Sequence, residues 1–268
     1  MPPSEIKKEA LKSLKGKWGK AVCIAIAFLL FSFITDLVKY FTGEESIIYL
    51  ISAIVYAIIS VPLSLGLTIS LIKLKRSEDV KIFGFIKDGF SRFFKSWGIA
   101  WHIFIRLLLP IICLFVGILL MAILLIFGKY NFIVAIIGIV IFISILLYVV
   151  SRSLLYVLSY CIAYDNPKLS SKECVIISAK LMKGNRGNYA LLMLSFAGWF
   201  SLIIIPVVIL YSFFVICLLF NLLIAFVGLV SVLIAYMIAL SYLGVYMDIA
   251  SICFYDRLNN AETNNIKE

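Results

Sequence analysis

From Tyr189 to Met247 the chain carries no charged side chain, and only Asn221, near the middle, interrupts the apolar run. A stretch apolar on all sides has no place in a water-soluble core, where each helix needs a polar outer face. Hydrocarbon accepts it cheaply. The rest of the chain agrees, with 64% of residues hydrophobic and 14% charged, against roughly half and a quarter in an ordinary soluble domain. The expected fold is all-α, a single integral membrane domain over 1–268.

Six apolar segments emerge, 20–41, 46–72, 98–127, 131–163, 189–217 and 222–255, each at least as long as the ~20 residues that cross a hydrocarbon core. Basic residues gather before the first span (Lys7, Lys8, Lys12, Lys15, Lys17, Lys20), in the second connection (Lys73, Lys75, Arg76, Lys81, Lys87, Arg92, Lys95) and in the fourth (Lys168, Lys172, Lys180, Lys183, Arg186). The other three connections hold only Lys39 and Lys129. The positive-inside rule then predicts a multi-pass protein of the bacterial cytoplasmic membrane with amino and carboxyl termini both cytoplasmic. Met1 to Phe33 reads as an uncleaved first helix, because no small-residue cleavage site follows before Asp36. In the uncharged run, a turn at Asn221 separates two spans, while Pro206 leaves a kinked or re-entrant fifth segment as the alternative.

The basic connections carry amphipathic patterns. Residues 4–15 set Ile6, Ala10, Leu11 and Leu14 on one helical face among lysines, and 77–95 do the same with Phe83, Ile86, Phe90, Phe93 and Phe94. Residues 170–183 open with Ser170 and Glu173 in capping-box spacing and stop at Gly184. All three are expected to lie as surface helices on anionic lipid. Each runs into a similar hinge: Lys15, Gly16, Trp18 and Gly19; Trp97 and Gly98; Lys183, Gly184 and Gly187. Glycine lets the backbone turn into the bilayer and tryptophan favours the interface. The pattern suggests a threefold repeat of surface helix plus helical hairpin, over 1–76, 77–165 and 166–258, with a polar tail at 259–268. The alternative is that any membrane boundary collects Lys, Trp and Gly.

The second half contains Ala163-Tyr164-Asp165-Asn166-Pro167, then Ser178 to Asn185, then Leu194-Ser195-Phe196-Ala197-Gly198-Trp199. With Leu11 to Ala21 and Phe254-Tyr255, these runs resemble domain-of-unknown-function family 975, integral membrane proteins of Gram-positive bacteria. The resemblance covers nearly the whole chain. It implies fold and location but carries no activity, substrate or catalytic residue. Its motifs read structurally: Asp165, Asn166 and Pro167 stop the fourth helix, and Ala197 with Gly198 permits close helix packing.

Ionisable groups inside spans are the default functional candidates. Asp36 lies near a helix end and reads as solvated. His102 and Arg106 share a face at the start of the third span, placed to bind a lipid phosphate or other anion, or simply to reach the headgroups. Arg152 and Tyr156, and Tyr246 and Asp248, fall in hydroxyl-rich inner halves of the fourth and sixth spans. They suggest a cytoplasm-facing cavity with Arg152 pairing Asp248, or a buried pair that fixes helix packing. With one histidine, no phosphate-cradling glycine loop and six scattered cysteines, no catalytic constellation, metal site or cofactor is expected. The net charge of +10 suits anionic membrane lipids better than nucleic acid, and another membrane protein is the other expected partner. Oligomeric state is not legible. The expected function is a non-enzymatic module that engages lipid or a membrane protein; the alternative is a small transporter or exporter component.

Overall fold

A computed structural model describes residues 2–127, 132–217 and 220–265. Among these there are eleven α-helices and no strand: α1 (Pro3–Leu14), α2 (Trp18–Thr42), α3 (Ile47–Lys75), α4 (Gly84–Phe90), α5 (Phe93–Phe127), α6 (Phe132–Ser153), α7 (Ser159–Asp165), α8 (Ser171–Met182), α9 (Arg186–Leu194), α10 (Ala197–Cys217) and α11 (Leu222–Asn265). Six stretches are long and apolar enough to cross a membrane: Trp18–Thr42, Ile47–Lys75, Phe93–Ile123, Ile136–Asp165, Arg186–Cys217 and Leu222–Ala261. α10 packs along α11 but buries none of its residues, as expected of an apolar helix whose solvent is lipid. The loop between the third and fourth spans lies outside the described residues. The polar tail continues α11 as far as Asn265.

The chain divides into two compact units, Met1–Phe93 with Asn188–Glu268, and Phe94–Gly187. In the larger unit α1 packs against α11, and its apolar face is covered by protein, with Ile6, Ala10 and Leu14 buried and Leu11 exposed. The periodicity is as expected, but the covering surface for most of that face is polypeptide. Ion pairs pin the same helix: Arg257 reaches Glu9 at 2.8 Å and Glu5 at 3.1 Å. Lys75 at the end of α3 meets Asp256 at 2.6 Å and Glu9 at 3.7 Å. Lys17 Nζ donates to the Leu74 carbonyl and to Ser77 Oγ, so a cation satisfies one of α3's terminal acceptors.

α4 occupies part of the second connection. Its buried anchor is Phe85, edge-on to Phe28 and Phe31 of α2, whereas Phe83, Phe90 and Phe94 of the expected stripe are exposed. The cause is a backbone crossing: a Cβ on Gly66 of α3 would collide with the Phe85 carbonyl, and one on Gly89 with the Pro62 carbonyl. Only glycine permits that approach, and it fixes which phenylalanine turns inward.

Pro206 lies inside a continuous α10. The fifth span instead breaks at Ser195 and Phe196, between α9 and α10. There Lys7 Nζ donates to the Ser195 carbonyl at 3.0 Å and stands 4.5 Å from the centre of the Phe196 ring. A lysine from α1 thus takes up an acceptor at the helix break.

Candidate functional site

The smaller unit is organised by a break in its second span. α6 ends at Ser153, a 3₁₀ turn covers Leu154–Tyr156, and α7 starts at Ser159. No proline or glycine lies between Ser151 and Tyr160. Broken helix at membrane depth is tolerated only where its freed polar groups are buried in protein or line a cavity. Both devices operate here. Ser178 Oγ of α8 donates to the Leu155 carbonyl at 2.8 Å, and Ser159 Oγ donates to the Tyr156 carbonyl. The remaining space is a recess of about 410 Å³.

α8 is positioned from both ends. Ser170 Oγ accepts from the Glu173 N–H, and a Glu173 carboxylate oxygen accepts from the Ser170 N–H at 2.7 Å. Accepting that backbone bond holds the Glu173 carboxyl below its ordinary value. Ser171 Oγ donates to the Lys95 carbonyl, and Gly98 leaves room for the Ser171 side chain, which a Cβ would meet at 2.5 Å. α7 stops at the expected turn. The Asn166 N–H donates to the Ile162 carbonyl, and Lys95 Nζ donates to the Asn166 and Pro167 carbonyls. At its far end α8 closes on Lys183, in extended backbone at φ −66° and ψ 117°, followed by Gly184 at φ 89°. α1 closes alike, with Lys15 at φ −58° and ψ 122° and Gly16 at φ 78°. The middle hinge differs, since Trp97 and Gly98 lie inside α5. Gly19, Gly187 and Gly198 are helical, and a Cβ added to any of them would meet nothing within 4 Å. The hinge conformation therefore rests on Gly16 and Gly184, and Gly198 does not mark a close helix contact.

The recess is lined by Arg106 of α5, Arg152 of α6, Leu155 and Tyr156 of the 3₁₀ turn, Ile176 and Ala179 of α8, and Lys183 and Arg186 beyond it. Four cations meet there and no carboxylate joins them. The Arg106 guanidinium lies 5.8 Å from the Tyr156 ring centre and that of Arg152 lies 5.3 Å from Tyr148. Arg186 donates to Ser151 Oγ at 3.1 Å. These are neutral partners, so the positive charge is not cancelled.

The structure thus brings together Arg106, Arg152 and Tyr156, three residues singled out in the sequence, and adds Lys183 and Arg186. His102 sits one turn before Arg106, outside the recess lining. Arg152 and Asp248 belong to different units. Tyr246, in the larger unit, donates to the Lys7 carbonyl and packs edge-on to Trp18 and Phe196. With Trp18, Trp199 and Tyr242 it lines a second recess of about 460 Å³ that is almost wholly apolar. Among the described residues no group of three or more His, Cys, Asp or Glu side chains could hold a metal ion.

Six apolar helical stretches of membrane-crossing length define a polytopic α-helical membrane protein. The chain belongs to the family described as protein of unknown function DUF975, which matches residues 1–262. No curated protein and no solved structure matches it.

Proposed function

We propose that this protein is a non-enzymatic membrane module that engages the anionic headgroup of a lipid at the inner leaflet, with both termini cytoplasmic. The carrying observation is the recess in the smaller unit, where Arg106, Arg152, Lys183 and Arg186 converge without a carboxylate. Like charges gathered without a counter-charge repel one another, so an arriving anion relieves a cost the free protein bears. Arginine forks fit phosphate oxygens in pairs. Leu155, Tyr156, Ile176 and Ala179 supply an apolar wall beside the cations, suited to the stem of a lipid. The lining offers no carboxylate or histidine for proton transfer, which favours binding over chemistry. The lysine-rich connections set the orientation by the positive-inside rule.

The test is to purify the full chain in mild detergent and compare its co-purified lipids with those of the parent membrane. Anionic lipid is expected to be enriched, and the Arg106→Gln, Arg152→Gln double variant to lose the enrichment. Equal lipid profiles for the two proteins would overturn the reading. Reporter fusions after Glu45 should report outside, and one at the tail inside; the reverse pattern would overturn the orientation.

A second reading, a small transporter or exporter component, is favoured by the interruptions at Leu154–Tyr156 and at Ser195–Phe196, since transporters build substrate sites on discontinuous helices. It requires vesicles containing the protein to move an anion that empty vesicles do not.

A further inference from the structure

The charge count of the smaller unit narrows the headgroup. Residues 94–187 carry two carboxylates, Asp165 and Glu173, against nine lysines and arginines. Glu173 is engaged in the capping box at the Ser170 end of α8. Lys183 caps the other end of that twelve-residue helix, some ~18 Å away at the helical rise, and neither Asp165 nor Glu173 is among the residues that line the recess. Arg106 and Arg152 rest against tyrosine rings, Arg186 against a serine hydroxyl, and the lining contains no acid. The recess is therefore built for more negative charge than one carboxylate or one phosphodiester supplies. A phosphodiester carries one charge, whereas a phosphomonoester carries about two, with three acceptor oxygens. Three guanidinium forks and one ammonium match that acceptor set.

We infer that the recess formed by Arg106, Arg152, Lys183 and Arg186 recognises a phosphate monoester in preference to a phosphodiester. The inference rests on the anionic-headgroup reading and deepens it. The apolar wall of Leu155, Ile176 and Ala179 provides for a monoester attached to a hydrocarbon stem. The shared chemistry is the doubly charged terminal phosphate, which a lipid or a free phosphate can supply.

The experiment is native mass spectrometry of the detergent-solubilised full chain, titrated with phosphatidic acid, with phosphatidylglycerol of the same acyl chains and with phosphatidylcholine, with inorganic phosphate added as competitor. Phosphatidic acid is expected to bind about tenfold more tightly than phosphatidylglycerol, the scale set by one extra charge among several cations at a membrane surface. Lys183→Gln, at an exposed helix end where folding is not at stake, should lower that preference about fivefold, and Arg152→Lys should weaken it while keeping the charge. Equal binding of the two anionic lipids, with phosphatidylcholine excluded, would overturn the monoester inference and leave the anionic-lipid reading standing. Equal binding of all three would overturn both. Displacement of phosphatidic acid by inorganic phosphate at comparable concentration would support the monoester site and overturn its assignment to lipid.

Discussion

α1 and α8 are built to one plan and meet opposite electrostatic fates. Each has twelve residues, ends on a lysine in extended backbone and turns through a left-handed glycine into the next helix. Around α1 the cations are answered: Glu5 and Glu9 meet Arg257, and Asp256 and Glu9 meet Lys75. In the recess beside α8 no carboxylate joins the lining, because Glu173 is turned back into its own cap and Lys183 and Arg186 share the space with Arg106 and Arg152. The same local geometry thus makes a clasp in one unit and an open cationic recess in the other. What separates them is the placement of a few carboxylates.

The sharpest way to break this comparison is to remove a carboxylate from the clasp. Lys75 has a side chain 12% exposed, so Asp256→Ala leaves a largely desolvated ammonium whose remaining carboxylate contact is the long one to Glu9 at 3.7 Å. The loss should be about 2 kcal/mol, read as a lower unfolding midpoint in detergent. Lys183→Gln in the recess should leave the midpoint unchanged or raise it slightly, since it relieves repulsion. If the two substitutions cost the same, the clasp and the recess are not different in kind.

The shared plan is more legible in the sequence than the contrast. Apolar run length predicts the six spans. Local chemistry predicts the Ser170–Glu173 cap, the glycine stops at Gly16 and Gly184, and the Asp165-Asn166-Pro167 turn, because each depends on residues a few positions apart. The break at Leu154–Tyr156 has no such local cause. It holds no proline or glycine, and its freed Leu155 carbonyl is answered by Ser178 from another helix. Nor does periodicity say what covers an apolar face: Ile6, Ala10 and Leu14 have the same spacing whether lipid or α11 lies over them. Phe85 does not stand out among its neighbouring phenylalanines, because its burial follows from the Gly66 and Gly89 crossing between two helices. Pairing Arg152 with Asp248 follows from opposite charge and from the hydroxyl-rich inner halves of two spans, whereas the meeting of Arg152 with Arg106, Lys183 and Arg186 depends on tertiary placement.

A smaller effect sharpens the likeness of the two helices. Neither Gly16 nor Gly184 has an atom within 4 Å of where a Cβ would stand, so Gly→Ala at either place meets no clash and bears only the strain of left-handed backbone, about 1 kcal/mol. Matching drops in unfolding midpoint for Gly16→Ala and Gly184→Ala are expected. A far larger loss at one of them would mean that the hinges share geometry without sharing surroundings.

The smallest effect separates the two starts. α8 has the reciprocal Ser170–Glu173 cap, whereas Pro2 before α1 offers no side-chain acceptor. Ser170→Ala should cost about 1 kcal/mol. The Glu173 carboxyl is held below its ordinary value of 4.5 by the backbone N–H it accepts. A depressed folded value means that the contribution is complete above the ordinary value and is lost as pH falls through the lowered one. Amide exchange, corrected for its intrinsic pH dependence, should therefore show residues 171–175 losing protection on acidification below that value. Ser170→Ala should start lower and change less. Equal acid sensitivity in the variant would mean that the cap does not govern the start of α8, and that the recess is held in place by the Ser178 bond and by packing instead.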